Sequence, residues 1–238
     1  MSTFQRQLAD LQADLVAQSA RVYKAILLAV ESAFDRDRNK AEQVVAADAE
    51  IDRVDVAIER ASIPLLLRTK TSDGPSDEHD VRSVLTIVKI NNELERMADC
   101  AVNVAEVMLE YSADLNQGFP ATFRVMANSV IGMVRDANRA LAEQNVAVAQ
   151  QVLLFDDTVD RFKLEIGLDA ERKVAAGAFA VSYAFRLRSV VSQLERIADH
   201  CTNVCEQVIY LNTGKVVKHL AGGWSDPELP GATSAPSA

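Results

Sequence analysis

Two stretches of this chain carry the same set of oxygen-bearing side chains. Glu95, Asp99, Asn103 and Glu106 step by 4, 4 and 3 residues, and Glu195, Asp199, Asn203 and Glu206 repeat the pattern 100 residues later. On an α-helix such steps place all four side chains of a set on one face. A second set of acids stands upstream of each. Asp48 and Asp52 are one turn apart around Ile51, and Asp156 and Asp160 are one turn apart around Val159. Like charges at i,i+4 disfavour a helix by about 0.2–0.5 kcal/mol unless something compensates. Bundling would bring each Asp pair near the Glu/Asp pair of the next helix, and four carboxylates on adjacent helices repel without a cation. Oxygen-only donors suit hard ions such as magnesium, manganese, calcium or ferric iron, and zinc accepts carboxylates too. The plainer alternative is a solvated face, the usual meaning of a charged row opposite a core seam. The acids recur in both halves, where a solvated face would accept Lys, Gln or Arg equally well, and this weighs toward cation binding.

Other chemistry-bearing residues form no constellation. Arg96 and Arg196 each sit beside a Glu and three residues before an Asp, which suits a surface ion pair or a partner contact. His200 has Cys100 as its counterpart and reads as a packed or surface polar residue rather than a ligand. Cys201 and Cys205 are one turn apart, so a two-thiolate clip is conceivable, but small core residues are the simpler reading. An odd number of cysteines without CxxC argues against a disulfide framework or a zinc ribbon. No P-loop, GxGxxG, nucleophile elbow or HExxH is present, so the chain reads as a non-enzyme.

The elements that position the acids are long helices. In the first row's helix Ile87, Ile90, Leu94, Met97, Ala101, Val104, Met108 and Tyr111 alternate at 3 and 4 residues, a coiled-coil-like seam. Leu187, Val190, Leu194, Ile197, Cys201, Val204, Val208 and Leu211 repeat it 100 residues on. The Asp-pair helices align at a shift of 108, with Ala47 on Phe155, Ile51 on Val159 and Val54 on Phe162. This internal repeat predicts an all-α fold of two tandem three-helix bundles: residues 1–115, residues 116–215 and a flexible tail over 216–238. Helix one is expected from Thr3 to Phe34, helix two from Ala41 with Pro64 kinking or shortening its end, helix three from Val81, helix four from Ala121 to Glu143, and helix six from Val181 to Asn212 with Gly214 as its stop. Gln18 interrupts the first apolar stripe.

Composition agrees. Of 238 residues, 9 are Gly, 6 are Pro and 5% are aromatic, too few turn formers for an all-β fold. A net charge of -9 cannot hold a nucleic-acid backbone, which excludes that partner class. No apolar run is long enough for a signal peptide or a membrane span, so a cytoplasmic chain is expected, without membrane insertion.

At the rows Leu94-Glu95-Arg96-Met97-Ala98-Asp99 and Leu194-Glu195-Arg196-Ile197-Ala198-Asp199-His200 the sequence resembles the PhoU family of phosphate-transport regulatory proteins. Asn203-Val204-Cys205-Glu206 and Asp80-Val81-Arg82 are similar to further family motifs. The resemblance implies a negative regulator of phosphate uptake and phosphate-starvation signalling. Its partners would be the phosphate ABC transporter and a sensor histidine kinase, and a homodimer is implied. It also implies metal clusters, of iron or zinc, beside the manganese or magnesium that the oxygen donors themselves admit. One cluster would use Asp48, Asp52, Glu95 and Asp99, and the other Asp156, Asp160, Glu195 and Asp199. Asn103, Glu106, Asn203 and Glu206 are possible additions. Cys100 departs from the His common after the family's Asp. Two other functions remain open. A metal store or di-metal carboxylate protein would need Glu-x-x-His pairs, which are missing here. A metal-free helical scaffold would be indifferent to chelation.

Overall fold

The computed structural model describes residues 2–68, 78–111, 119–220 and 223–225. Six helices fill it: α1 (Thr3–Asp35), α2 (Arg38–Arg68), α3 (Glu78–Tyr111), α4 (Ala121–Glu143), α5 (Val146–Ala175) and α6 (Val181–Thr213). Local chemistry sets their ends. The Ser2 hydroxyl accepts from the Gln5 backbone N–H while Gln5 Oε1 accepts from the Ser2 N–H, a capping box that starts α1. The side chain of Asn145 caps α5 through the Val148 N–H at 3.1 Å. Gly214 ends α6 with φ 72°, a left-handed conformation suited to glycine.

Helices α1, α2 and α3 form one bundle and α4, α5 and α6 the second, as the repeat requires. The two bundles meet through α3 against α6, with α1 touching α4. One apolar core runs through both. The duplicated seam lies inside it: Leu94 and Met97 are buried on α3, and their counterparts Leu194 and Ile197 are buried on α6. Gln18, the break in the α1 stripe, is fully buried and donates from Nε2 to the Ile51 carbonyl at 2.7 Å, tying α1 to α2. A buried amide is tolerated there because it has that partner.

Three local differences have physical reasons. Pro64 lies inside α2, which continues to Arg68. It sits on the exposed side, where water can satisfy the carbonyl that its missing N–H leaves free. Helix α3 starts at Glu78, with Glu78 and Asp80 as acids in its first turn, where the helix dipole favours them. Residues 216–220 and 223–225, which fall in the expected tail, are structured. Val217 is buried against the core, and β1 (Lys218–Leu220) pairs antiparallel with β2 (Gly223–Ser225). The expected loop at Gly74 and Pro75 and the rest of the tail lie outside the described residues. Among the described residues, no helix is long and apolar enough to cross a membrane.

Candidate metal centres

Helices α2 and α3 turn their acids toward one another. Asp48 on α2 lies partly buried. Burial, followed by repulsion from Asp52, Asp99 and Glu106, raises its pKa above the ordinary carboxylate value. Its Oδ1 is buried without a hydrogen-bond partner. Glu95 is also raised, first by burial and then by Asp99, Asp55 and Asp52, with Arg96 opposing. Thus Asp48, Asp52, Glu95 and Asp99 face one groove, with Glu106 at the Asp48 end. Asn103, on the same helix, is exposed to solvent.

The second repeat builds the related groove from α5 and α6. The Asp199 pKa is pushed up to about 6 by burial, then by Glu195, Asp156 and Asp160, with His200 opposing. Asp156 is buried, whereas Asp160 is exposed. Several of the expected ligands have partners within the chain. Lys163 Nζ lies 2.6 Å from Glu195 Oε1, and Lys218 Nζ lies 2.7 Å from Glu206 Oε2. Glu206 is itself buried, not on an outer face. Asn203 points to the other repeat and donates from Nδ2 to Glu93 Oε2 at 3.0 Å.

The donor set is therefore all oxygen and partly desolvated. The orphaned Asp48 oxygen in the first groove is one donor that a hard cation would satisfy. The carboxylates are splayed, however. Among the described residues no group of three or more His, Cys, Asp or Glu converges on one ion position. Ligation would need side-chain rotation. Cys201 and Cys205 take no part, since both are buried in the core and burial drives both thiols up, away from the thiolate a clip would require.

Several functional neighbours escaped the sequence reading. Asp55 extends the first acidic row, and its carbonyl and Oδ1 accept from Asn91 Nδ2 at 3.0 and 2.6 Å. The i,i+3 step from Asp52 to Asp55 was a legible signal for it. Glu93 bridges to His200 Nδ1 at 2.7 Å. No local pattern marks that bond, which spans 107 residues. Arg82 of the Asp80-Val81-Arg82 motif is structural. It lies over the Tyr210 ring at 5.7 Å and beside Gly214, where a Cβ would come within 2.6 Å of its Nη1.

Fold and grooves together define a class: a duplicated three-helix bundle with a carboxylate-lined groove in each half. The PhoU domain matches residues 17–108 and 123–208, one match per repeat, and the chain belongs to the PhoU family. It is 31% identical over 214 residues to the phosphate-specific transport system accessory protein PhoU homolog of Clostridium acetobutylicum, covering 90% of this chain and 96% of that one. It is 28% identical over 221 residues to PhoU homolog 1 of Thermotoga maritima, covering 92% and 93%. Among solved structures, PhoU from Pseudomonas aeruginosa superposes with a TM-score of 0.82 at 28% identity, over 89% of this chain and 100% of that one. PhoU from Streptococcus pneumoniae, at 22% identity and TM-score 0.81 over 91% and 100%, shares the fold. The family is one of regulatory accessory proteins, not enzymes.

Proposed function

We propose that this chain is a cytoplasmic negative regulator of phosphate uptake and phosphate-starvation signalling. It would act as an adaptor between a phosphate ABC transporter and a sensor histidine kinase, with cations held in its two carboxylate grooves. The observation that carries the reading is the duplicated meeting of acids across α2–α3 and α5–α6, with a raised pKa in each groove. Acids held together at a cost to the folded chain support a functional role for the two grooves.

Asp48, Asp52, Glu95 and Asp99 would hold the first ion, with Glu106 in reach of Asp48. Asp156, Asp160, Glu195 and Asp199 would hold the second. A bound cation supplies the positive charge that cancels the repulsion and sets the spacing of the two helices. In the second groove Lys163 already supplies part of that charge to Glu195. That ion pair favours a second reading for the α5–α6 half alone, a scaffold that needs no metal. An oxidase or storage role has no comparable support.

The test is direct binding. The kinase's cytoplasmic part and the transporter's ATP-binding subunit are each immobilised and exposed to the purified chain across phosphate and metal concentrations. Saturable binding to both is expected. Absence of binding to either partner under every condition refutes the adaptor role.

A further inference from the structure

An open apolar groove of about 730 Å³ lies between α5 and α6. The helices run antiparallel, so Asp160 and Glu195 close one end, and Val174 and Val181 flank the other at the α5–α6 turn. Large apolar side chains line it yet face solvent: Leu164 is 64% exposed, Leu168 43%, Val181 58% and Phe185 70%. Single exposed apolar residues are ordinary, but a contiguous set in a concave surface is not. The first repeat has Val56, Arg60 and Leu85 where the second has Leu164, Leu168 and Phe185. The second half is therefore larger and more apolar at these positions than its own duplicate.

Gly167 lines the same groove, where the first repeat has Glu59. It lies within α5, and a Cβ built on it meets nothing within 4 Å. No neighbour inside the chain requires a glycine there, and glycine in a helix interior costs about 1 kcal/mol relative to Ala. A bare backbone at that point permits close approach from outside.

Length and charge describe the occupant. The α5 wall from Asp160 to Ala175 spans roughly 22 Å, about four helical turns. Glu195 is paired with Lys163, but Asp160 and Glu171 have no ion-pair partner among the described residues. These two acids stand about 16 Å apart along one face of α5, against Arg188 on the α6 wall, which has no ion-pair partner among the described residues. An anionic lipid surface is disfavoured by the same acids.

We propose that the α5–α6 groove docks an amphipathic helix of a partner protein, about four turns long. Its apolar stripe would lie on Leu164, Leu168 and Phe185, and Lys or Arg residues about three turns apart would meet Asp160 and Glu171. The proposal rests on the adaptor reading and gives it one of its partner surfaces. Asp160 belongs to the second carboxylate set as well, so docking and cation binding share that side chain.

The probe is a fluorescein-labelled 15-residue amphipathic peptide of Leu and Lys, with a Leu/Glu peptide as its charge-reversed counterpart. Binding to the full chain is followed by fluorescence anisotropy in chelator. Leu164→Ser and Phe185→Ser, both at exposed positions and checked for folding by circular dichroism, should each weaken the Leu/Lys peptide by at least about tenfold. Gly167→Ala should raise the melting temperature yet weaken the peptide, a pairing that a purely structural glycine cannot produce. The Leu/Glu peptide should bind at least about tenfold more weakly than the Leu/Lys peptide. Equal binding by wild type and the serine variants overturns the proposal. So does equal binding of both peptides, or a dimer in sedimentation velocity that Phe185→Ser makes monomeric. If the peptide binds the groove while neither kinase nor transporter binds the chain, the groove stands and the adaptor reading falls. If both partners bind wild type and Phe185→Ser alike, the adaptor reading stands and the groove proposal falls.

Discussion

Removing the Glu93 carboxylate should loosen the joint between the two repeats. Glu93 reaches from α3 to α6, where its Oε2 lies 2.7 Å from His200 Nδ1 and accepts from Asn203 Nδ2 at 3.0 Å. The His200 and Glu93 side chains are only 11% and 20% exposed. Leaving a buried donor without its acceptor costs about 1–3 kcal/mol, and Glu93 serves two of them, His200 and Asn203. Partial exposure here reduces that to about 2–3 kcal/mol. At about 2–4 °C per kcal/mol for a chain of this size, Glu93→Ala should lower the melting temperature by about 5–10 °C. Glu93→Gln, which keeps one acceptor, should lose roughly half as much. The pH dependence follows from the carboxyl. Burial works against its charge, but the bonds from His200 and Asn203 outweigh it, and its pKa lies below the ordinary 4.5. A depressed carboxylate stabilises the fold above its unfolded pKa, and that contribution is lost as pH falls through the folded value. The gap between wild type and Glu93→Ala should hold above pH 4.5 and close in stronger acid. Melting followed by circular dichroism, at a series of pH values in chelator, measures this. A variant that melts within about 2 °C of wild type at neutral pH, or a gap that widens in acid, refutes the reasoning.

The Asp199 pKa is raised, so its sign is opposite. Its contribution is fully present below 3.8 and lost as pH rises through about 6, so the metal-free chain should gain stability on acidification across that window. Asp199→Asn should flatten that part of the melting profile. Gly214→Ala should destabilise by about 1–2 kcal/mol, since φ is 72° and the new Cβ would press on Arg82; urea unfolding reads the loss. Lys163→Met frees Glu195 from its 2.6 Å ion pair. It should tighten cation binding in the second groove several-fold by calorimetry, while leaving the first groove unchanged.

Much of the fold was legible because burial repeats at short range. The seam from Ile87 to Val104 and its copy from Leu187 to Val204 each keep one face of a helix in the core, and periodicity reports that directly. Gly214 was readable as a stop because few residues other than glycine tolerate its φ. The paired acids were readable as faces, since i,i+4 spacing alone puts them together. Their counter-charges were not. Lys163 and Lys218 reach Glu195 and Glu206 through the packing of separate segments, as Glu93 does His200, and no local spacing encodes such meetings. The β1–β2 pair was hidden because its strands have three residues each, shorter than any alternation that could announce them.

The central claim is that the duplicated carboxylates bind cations. Its most direct test is calorimetric titration of untagged, chelator-treated chain with manganese, zinc and ferrous iron under anaerobic conditions. Wild type is compared with Asp48→Asn/Glu95→Gln and with Asp156→Asn/Asp199→Asn. At least one of these ions should bind at two sites, each double variant should abolish one of them, and binding should raise the melting temperature. Heats indistinguishable from dilution for every ion, or binding that survives both pairs of substitutions combined, would contradict the account.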